Sequence, residues 1–281
     1  MKSLVKGLVK NYNYMKRYPR VLAIAGSEPL GSAGMQADTK AISACGAYSG
    51  AAITCVVDEN TTRVKTIFPL PVELVTGQIQ SFLGDVGADA IKTGVLYSAE
   101  LIKAVAETLS EFEAANIVVD PVVIKSSGER MVDLDTVAAF RRYLFPMARL
   151  ITPNMGEAGL LLDRDAGKTD WENDIKLLSV NGCAVLIKSV PEGDKFIKDI
   201  FYDPEKGQTT VFTKDRIDTR NINGTGCSLS SSIAAYVARG YGLEEAVRAG
   251  EDYIHHAIVS GAQYYFGEGF GPVNHFYKYN E

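Results

Sequence analysis

The chain has no cysteine pair at metal-binding or redox spacing. Its four cysteines, Cys45, Cys55, Cys183 and Cys227, are scattered over 281 residues. Neither a zinc site nor a disulfide framework is expected, and a reducing cytoplasm fits. Basic residues are not in excess: 29 lysines and arginines against 34 aspartates and glutamates leave a net charge of −5. With no basic run interleaved with aromatics in the body of the chain, nucleic acid is not an expected partner. No window approaches the ~18 consecutive apolar residues of a membrane span, so a membrane is not expected either. Residues 1–19 carry Lys2, Lys6, Lys10, Lys16 and Arg17 among short apolar pieces. They lack the continuous apolar core of a secretory signal and read as a surface extension. Histidine is scarce, and His255, His256 and His275 have no partners at ligand spacing, so they read as surface or packing groups.

What is present is ordinary for a soluble enzyme, with 46% hydrophobic and 22% charged residues. Val21–Ala25 is a short apolar run that stops at the glycine-rich Gly26–Gly34, and a helix carrying Met35, Ala37 and Asp38 follows. Ala51–Val57 reads as a second buried strand ending in the polar Asp58-Glu59-Asn60-Thr61. Helical spacing from Pro71 to Val86 leads into Ala90–Leu96, Ser98–Leu109 into Ile117–Val122, and Leu134–Leu144 into Leu150–Asn154. A helical stretch around Ile175–Leu178 leads into Ala184–Lys188. Asp199–Tyr202 and Thr209–Phe212 read as a short antiparallel pair, and two helices close the chain. This alternation predicts a single α/β domain over residues 20–281, with a mostly parallel sheet covered by helices on both faces. Ligands of such sheets bind beyond the carboxyl ends of the strands.

The chemistry-bearing groups fall at those ends. Asn223-Gly224-Thr225-Gly226-Cys227 reads as a turn opening a helix. Its glycines allow close approach, and the unsatisfied first amides suit a phosphate. The same field would push a Cys227 thiol toward thiolate, making it a candidate base. A glycine-rich connection with a packing cysteine would also account for it. Asp120 and the Thr152-Pro153-Asn154-x-x-Glu157 group each follow an aliphatic strand. Their oxygens suit Mg²⁺ held partly through water and substrate phosphates. Each carboxylate also reads as an ordinary cap or first-turn charge. Lys188 would be a point charge for a nucleotide phosphate at the same edge. Asp38 and Glu59 could line a small-molecule pocket with Val95 and Val122.

Taken in order, Ala25-Gly26-Ser27, Gly34-Met35-Gln36-Ala37-Asp38, Asp120-Pro121-Val122, Ile151-Thr152-Pro153-Asn154-x-x-Glu157, Gly224-Thr225-Gly226-Cys227 and Gly271-Pro272-Val273-x-His275-Phe276 resemble the hydroxymethylpyrimidine/phosphomethylpyrimidine kinases. The resemblance runs from about Arg20 onward. It implies a ribokinase-like three-layer αβα fold, ATP and Mg²⁺ as cofactors, and a homodimer. It further implies that Gly224, Thr225 and Gly226 form the anion hole with Cys227 as base. Asp120 and Glu157 would serve the metal, Asn154, Lys188 and Thr152 the nucleotide, and Ala25, Asp38, Glu59, Val95 and Val122 the pyrimidine. Departures cluster on the substrate side. Glu28, Leu30 and Ser32 alter the first loop, Glu59 replaces a glutamine and Val95 a methionine. Lys125-Ser126 replace an Ala-Lys pair, Ser189-Val190 a Gly-Gly, and Asn223 a histidine. Three readings follow: a kinase for hydroxymethylpyrimidine or its monophosphate, a pyridoxal or pyridoxine kinase, and a catalytically weak paralogue that binds a vitamin precursor or nucleotide.

Overall fold

The computed structural model describes residues 16–123 and 132–279. Residues 1–15 and the Lys125-Ser126 pair lie outside them. The strands are β1 (Arg20–Ser27), β2 (Tyr48–Asn60), β3 (Arg63–Pro69), β4 (Ala90–Thr93), β5 (Ile117–Val119), β6 (Ala148–Ile151), β7 (Ala184–Glu192), β8 (Phe196–Asp203) and β9 (Gln208–Asp215). They form one sheet in the order β3-β2-β1-β4-β5-β6-β7-β8-β9. From β2 to β7 neighbours run parallel, while β3, β8 and β9 are antiparallel additions at the two edges. The helices are α1 (Gly34–Ala44), α2 (Val72–Asp85), α3 (Ala99–Glu111), α4 (Leu134–Ala139), α5 (Met155–Leu162), α6 (Trp171–Asp174), α7 (Thr225–Ala238) and α8 (Leu243–Gly261).

Strand alternation sorts the core into two layers. In β1, Leu22 and Ile24 face the side covered by α2 to α6, whereas Val21, Ala23 and Ala25 face α1, α7 and α8. All five are fully buried. A strand buried on both faces must be apolar throughout, which is why β1, β5 and the start of β7 read as continuous aliphatic runs. This is the three-layer αβα architecture expected from the alternation.

Two edges differ from the expectation. β2 does not stop at Val57 but continues to Asn60 and returns as β3, a largely exposed strand that the sequence reading did not assign. Asn60 makes the turn, its Oδ1 accepting from Thr62 N at 3.0 Å and Arg63 N at 3.1 Å. At the far edge the short antiparallel pair is a full β8–β9 ladder added to an extended β7. The central strands are shorter than expected, β4 ending at Thr93 and β5 at Val119. Residues 94–96 and 120–122 are thereby freed as crevice-lining loops.

Candidate active site

The amino end of α7 is the centre of the site. Gly224 caps it in the left-handed region, at φ 76° and ψ 7°, and a Cβ there would run into the carbonyl oxygen of Ser32. Glycine is required twice over. At Gly226 a Cβ would sit 3.0 Å from Lys188 Nζ, which places that ammonium against the turn. Ser228, fully buried, donates to Gly224 O at 2.8 Å and lies 2.8 Å from His275 Nε2. Burial, helped by Lys40, pushes the His275 pKa down to about 4, so this packing histidine is neutral near pH 7.

The altered first loop closes on this turn. The Glu28 carboxylate accepts from the amides of Leu30, Gly31, Ser32 and Ala33, at 2.5 Å from Ser32 N and 2.8 Å from Ala33 N. Ser32 Oγ also reaches Glu28, and it accepts from Asn223 Nδ2 at 2.9 Å. Glu28, Ser32 and Asn223, three of the departures noted above, therefore belong to one hydrogen-bonded set that ties the loop to α7.

Beneath the turn lie two buried ion pairs. Lys188 Nζ donates to Asp120 Oδ1 at 2.6 Å, and Ser230 Oγ donates to Asp120 Oδ2 at 3.1 Å. Burial opposes the Asp120 charge, but Lys188 and Lys92 hold its carboxyl below the usual carboxylate range. Lys92 Nζ bonds both oxygens of Asp38, at 2.8 and 2.9 Å, and Ser231 donates to the same group at 2.8 Å. Burial works against the Lys92 charge and Asp38 outweighs it, so its pKa lies above the usual lysine range. Ser228, Ser230 and Ser231 thus fasten three sides of α7, explaining why a run of serines is fully buried in a helix. Glu157, at the start of α5, forms a capping box with Asn154: Asn154 N donates to Glu157 Oε2 at 2.8 Å and Glu157 N to Asn154 Oδ1 at 2.9 Å. Burial pushes the Glu157 pKa up to about 7 against the pull of Lys188.

These groups border a cleft of about 450 Å³ at the carboxyl ends of the strands. Gly224, Thr225, Gly226, Cys227, Asp120, Glu157, Asn154 and Lys188 line its middle. Cys55, Val57, Glu59, Val64, Val95 and Val122 line one end, and Ile197, Asp199, Lys214, Ile254 and Ile258 the other. Three expected site residues are placed elsewhere. Ala25 and Asp38 are fully buried and do not line the cleft, Asp38 being enclosed with Lys92. Thr152 is also buried and donates to Asp120 at 3.3 Å from behind. At Cys227 the expected push toward thiolate is opposed by burial. Burial pushes its pKa up to about 11, outweighing Lys92 and the Gly34 backbone, with Asp38 and Asp120 adding to the rise. Sequence reading missed Lys92, a lysine inside an apolar strand, although its position in Ala90-Ile91-Lys92-Thr93 was the available signal.

A larger cleft of about 760 Å³ lies by the amino ends of β6, β7 and α8. Within it Lys206 pairs with Glu244 and Asp203, and Arg248 with Glu244. It offers no group comparable to the glycine turn.

A match to the family described as phosphomethylpyrimidine kinase spans residues 28–274, which takes in every cleft residue named above. The chain belongs to that family. The hydroxymethylpyrimidine/phosphomethylpyrimidine kinase of Escherichia coli is 37% identical over 268 residues, covering 94% of this chain and all of its own. Among solved structures, the ADP complex of Bacillus subtilis pyridoxal kinase superposes with a TM-score of 0.83 at 29% identity, over 94% of this chain and all of that one. Staphylococcus aureus pyridoxal kinase with AMP-PCP and pyridoxal gives 0.82 at 30% identity, over 94% and 96% of the two chains. Kinase family membership agrees with a cleft that has a phosphate-type turn at its centre and room on either side.

Proposed function

We propose that the chain transfers the γ-phosphoryl group of ATP to the hydroxymethyl group of 4-amino-5-hydroxymethyl-2-methylpyrimidine, or to the monophosphate of that alcohol, in thiamin synthesis. The observation that carries this is the Gly224–Cys227 turn, set between a largely apolar pocket end that carries Glu59 and a second end beyond Lys188. The names of the kinase relatives support the same substrate. Residues 20–281 would act as one kinase domain with residues 1–19 as its extension. The four free cysteines favour a cytoplasmic setting, and no helix among the described residues is long and apolar enough to cross a membrane. The resemblance to the family supports a homodimer.

Gly224, Thr225 and Gly226 would hold the transferring phosphoryl group with backbone amides at the positive end of α7. Lys188 reaches the same phosphates, its charge balanced by Asp120. Asn154 borders the nucleotide, while Val95, Val122 and Glu59 enclose the ring. Thr152, Ala25 and Asp38 would act from behind as supports. Phosphoryl transfer through a loose transition state asks little of a base until late. A small thiolate fraction of Cys227 can then accept the hydroxyl proton.

The donor set fits magnesium. Asp120 and Glu157 supply hard oxygens on one side of the turn, and Glu157 has a carboxyl whose raised pKa a nearby cation would relieve. Among the described residues no group of three or more acidic, histidine or cysteine side chains forms a cage. Magnesium is commonly held mainly by water and substrate phosphates with one or two protein carboxylates. When bound, Mg²⁺ would neutralise charge on the phosphates.

A pyridoxal or pyridoxine kinase is the second reading, favoured by the carboxyl Glu59 at the ring end and by the pyridoxal kinases among the structural neighbours. ATP consumption over a panel of pyrimidine and pyridine alcohols, with products identified by mass, separates the two. No turnover of any of them would leave the binding paralogue.

A further inference from the structure

The cleft end beyond Lys188 holds a polar cluster that the reaction above does not use. Ser189, next in sequence to Lys188, lies at φ 60°, a left-handed conformation that non-glycine residues avoid. It sits in an irregularity of the β7–β8 ladder between Ile187 and Val190. Its amide donates to Asp199 Oδ1 at 2.6 Å, which pins the strained turn to β8. Asp199 and Ile197 share one face of β8, and Lys214 of β9 stands opposite Ile197, so all three project to the same side and line the cleft. Behind them, Lys214 Nζ donates to both the carboxylate and the main-chain oxygen of Glu251 on α8. Glu251 is 1% exposed, and its Oε1 has no hydrogen-bond partner unless it carries a proton. Burial and the charge of Asp199 raise its pKa well above the usual range, against the pull of Lys214. Asp199, which lines the cleft, is thus fixed by the Ser189 amide.

Resting on the kinase reading, we propose that Asp199, with Lys214 beside it, reads the ribose of the nucleotide by accepting hydrogen bonds from its vicinal hydroxyls. The placement follows the order of groups along the cleft. The glycine turn and Lys188 take phosphates, and the next residue's amide fixes Asp199, where the sugar attached to those phosphates must lie. Beyond it, Ile217, Ile254 and Ile258 offer apolar walls suited to the faces of a base. A doubly accepting, immobilised carboxylate matches two adjacent hydroxyl donors, and a missing hydroxyl leaves one of its lone pairs unpaired.

The test compares ATP, 2′-deoxy-ATP, 3′-deoxy-ATP and GTP as phosphoryl donors in the wild-type enzyme and in Asp199→Ala and Asp199→Asn. ADP and 2′-deoxy-ADP binding is measured by calorimetry in parallel. The wild type is expected to lose roughly ten- to a hundredfold in kcat/KM with either deoxynucleotide. Asp199→Ala should lower the ATP value to that level and treat ribo- and deoxynucleotides alike, leaving the KM for the alcohol unchanged. Asp199→Asn, which keeps one acceptor, should fall between. Equal use of ATP and the deoxynucleotides by the wild type would overturn the proposal without need of a variant. So would discrimination between ATP and GTP alone, which would assign the cluster to the base. Binding of ADP without turnover would sink the kinase reading, while the ADP and 2′-deoxy-ADP affinities would still decide this one.

Discussion

Lys188, midway along β7, and Asp120, the residue after β5, have β6 between them and meet as a nearly fully buried ion pair 2.6 Å apart directly under Gly226. The pair lets a cation approach the phosphate turn without an uncompensated charge in the core. Breaking it from one side should be expensive. Lys188→Met leaves Asp120 buried and unpaired, for an expected stability loss of ~3–5 kcal/mol by urea unfolding. The double variant Lys188→Met/Asp120→Asn should recover most of that stability but not the turnover. Full activity in the double variant would remove the pair from phosphate handling.

The metal placement has its own measurement. Asp120→Asn or Glu157→Gln removes a negative oxygen from the cation's surroundings, so each should shift the Mg²⁺ titration of turnover to higher concentration. Glu157→Gln keeps the α5 cap, because Asn154 still accepts from residue 157 N and a glutamine oxygen can accept from Asn154 N. Its thermal stability should change little. Unchanged titrations in both variants would place the metal elsewhere.

Gly224 and Gly193 both have positive φ, at 76° and 61°, and only the first is crowded. Gly193→Ala should cost about 1 kcal/mol of stability from backbone strain and leave kcat untouched. Gly224→Ala carries the same strain and also drives a methyl group into Ser32 O, prising the first loop from α7. We expect at least a hundredfold loss of kcat there, read in a steady-state assay. Similar kinetics in the two variants would show that the contact between loop and turn is dispensable.

The sheet was legible in the sequence because strands buried on both faces must be aliphatic, and β1, β5 and β7 have no other reading. The glycine turn was ambiguous by itself, since a glycine-rich connection reads the same way, and became legible through its place in the ordered set of motifs along the chain. What stayed hidden were residues whose role depends on partners distant in sequence. Lys92 and Asp38 are 54 positions apart, and Ser231 lies 193 positions from Asp38. β3 was missed because an exposed edge strand has no buried alternation to betray it. Cys227 misled for an instructive reason: the helix field that favours a thiolate is read from local sequence, whereas the burial that opposes it comes from packing.

That balance at Cys227 is measurable. With its pKa pushed up to about 11 by burial, the thiol keeps its proton at neutral pH, and its reactive fraction grows about tenfold per pH unit on the alkaline side. Peptide-resolved alkylation of Cys227 in the free enzyme should therefore still be rising at pH 9.5. Cys227→Ala should lower kcat by ~10²–10⁴ while nucleotide binding survives. A midpoint near pH 7, or nearly full activity in the alanine variant, would contradict this account.

Glu59 gives the last prediction, which depends on pH. Burial, reinforced by the charge of Glu28, pushes its pKa up to about 7. Below that value the group is a carboxylic acid, with one donor and one acceptor, and so resembles the glutamine usual in the family. It can then donate to a ring nitrogen of an aminopyrimidine and accept from the exocyclic amine. Above it the carboxylate only accepts, and a lone pair meets a lone pair at a cost of ~1–3 kcal/mol. Wild-type kcat/KM for hydroxymethylpyrimidine should therefore fall as pH rises through about 7, relative to Glu59→Gln, which has no proton to lose. Taking the ratio of the two enzymes cancels the opposite, shared rise from Cys227. By pH 8.5, about 1.5 units above that pKa, the glutamine variant should lead by roughly ten- to thirtyfold for the pyrimidine, and by much less for pyridoxal. A ratio that stays flat from pH 6 to 8.5 would show that Glu59 does not face the ring edge. A wild-type preference for the pyrimidine that Glu59→Gln abolishes would make the ionised acid itself the recognition group.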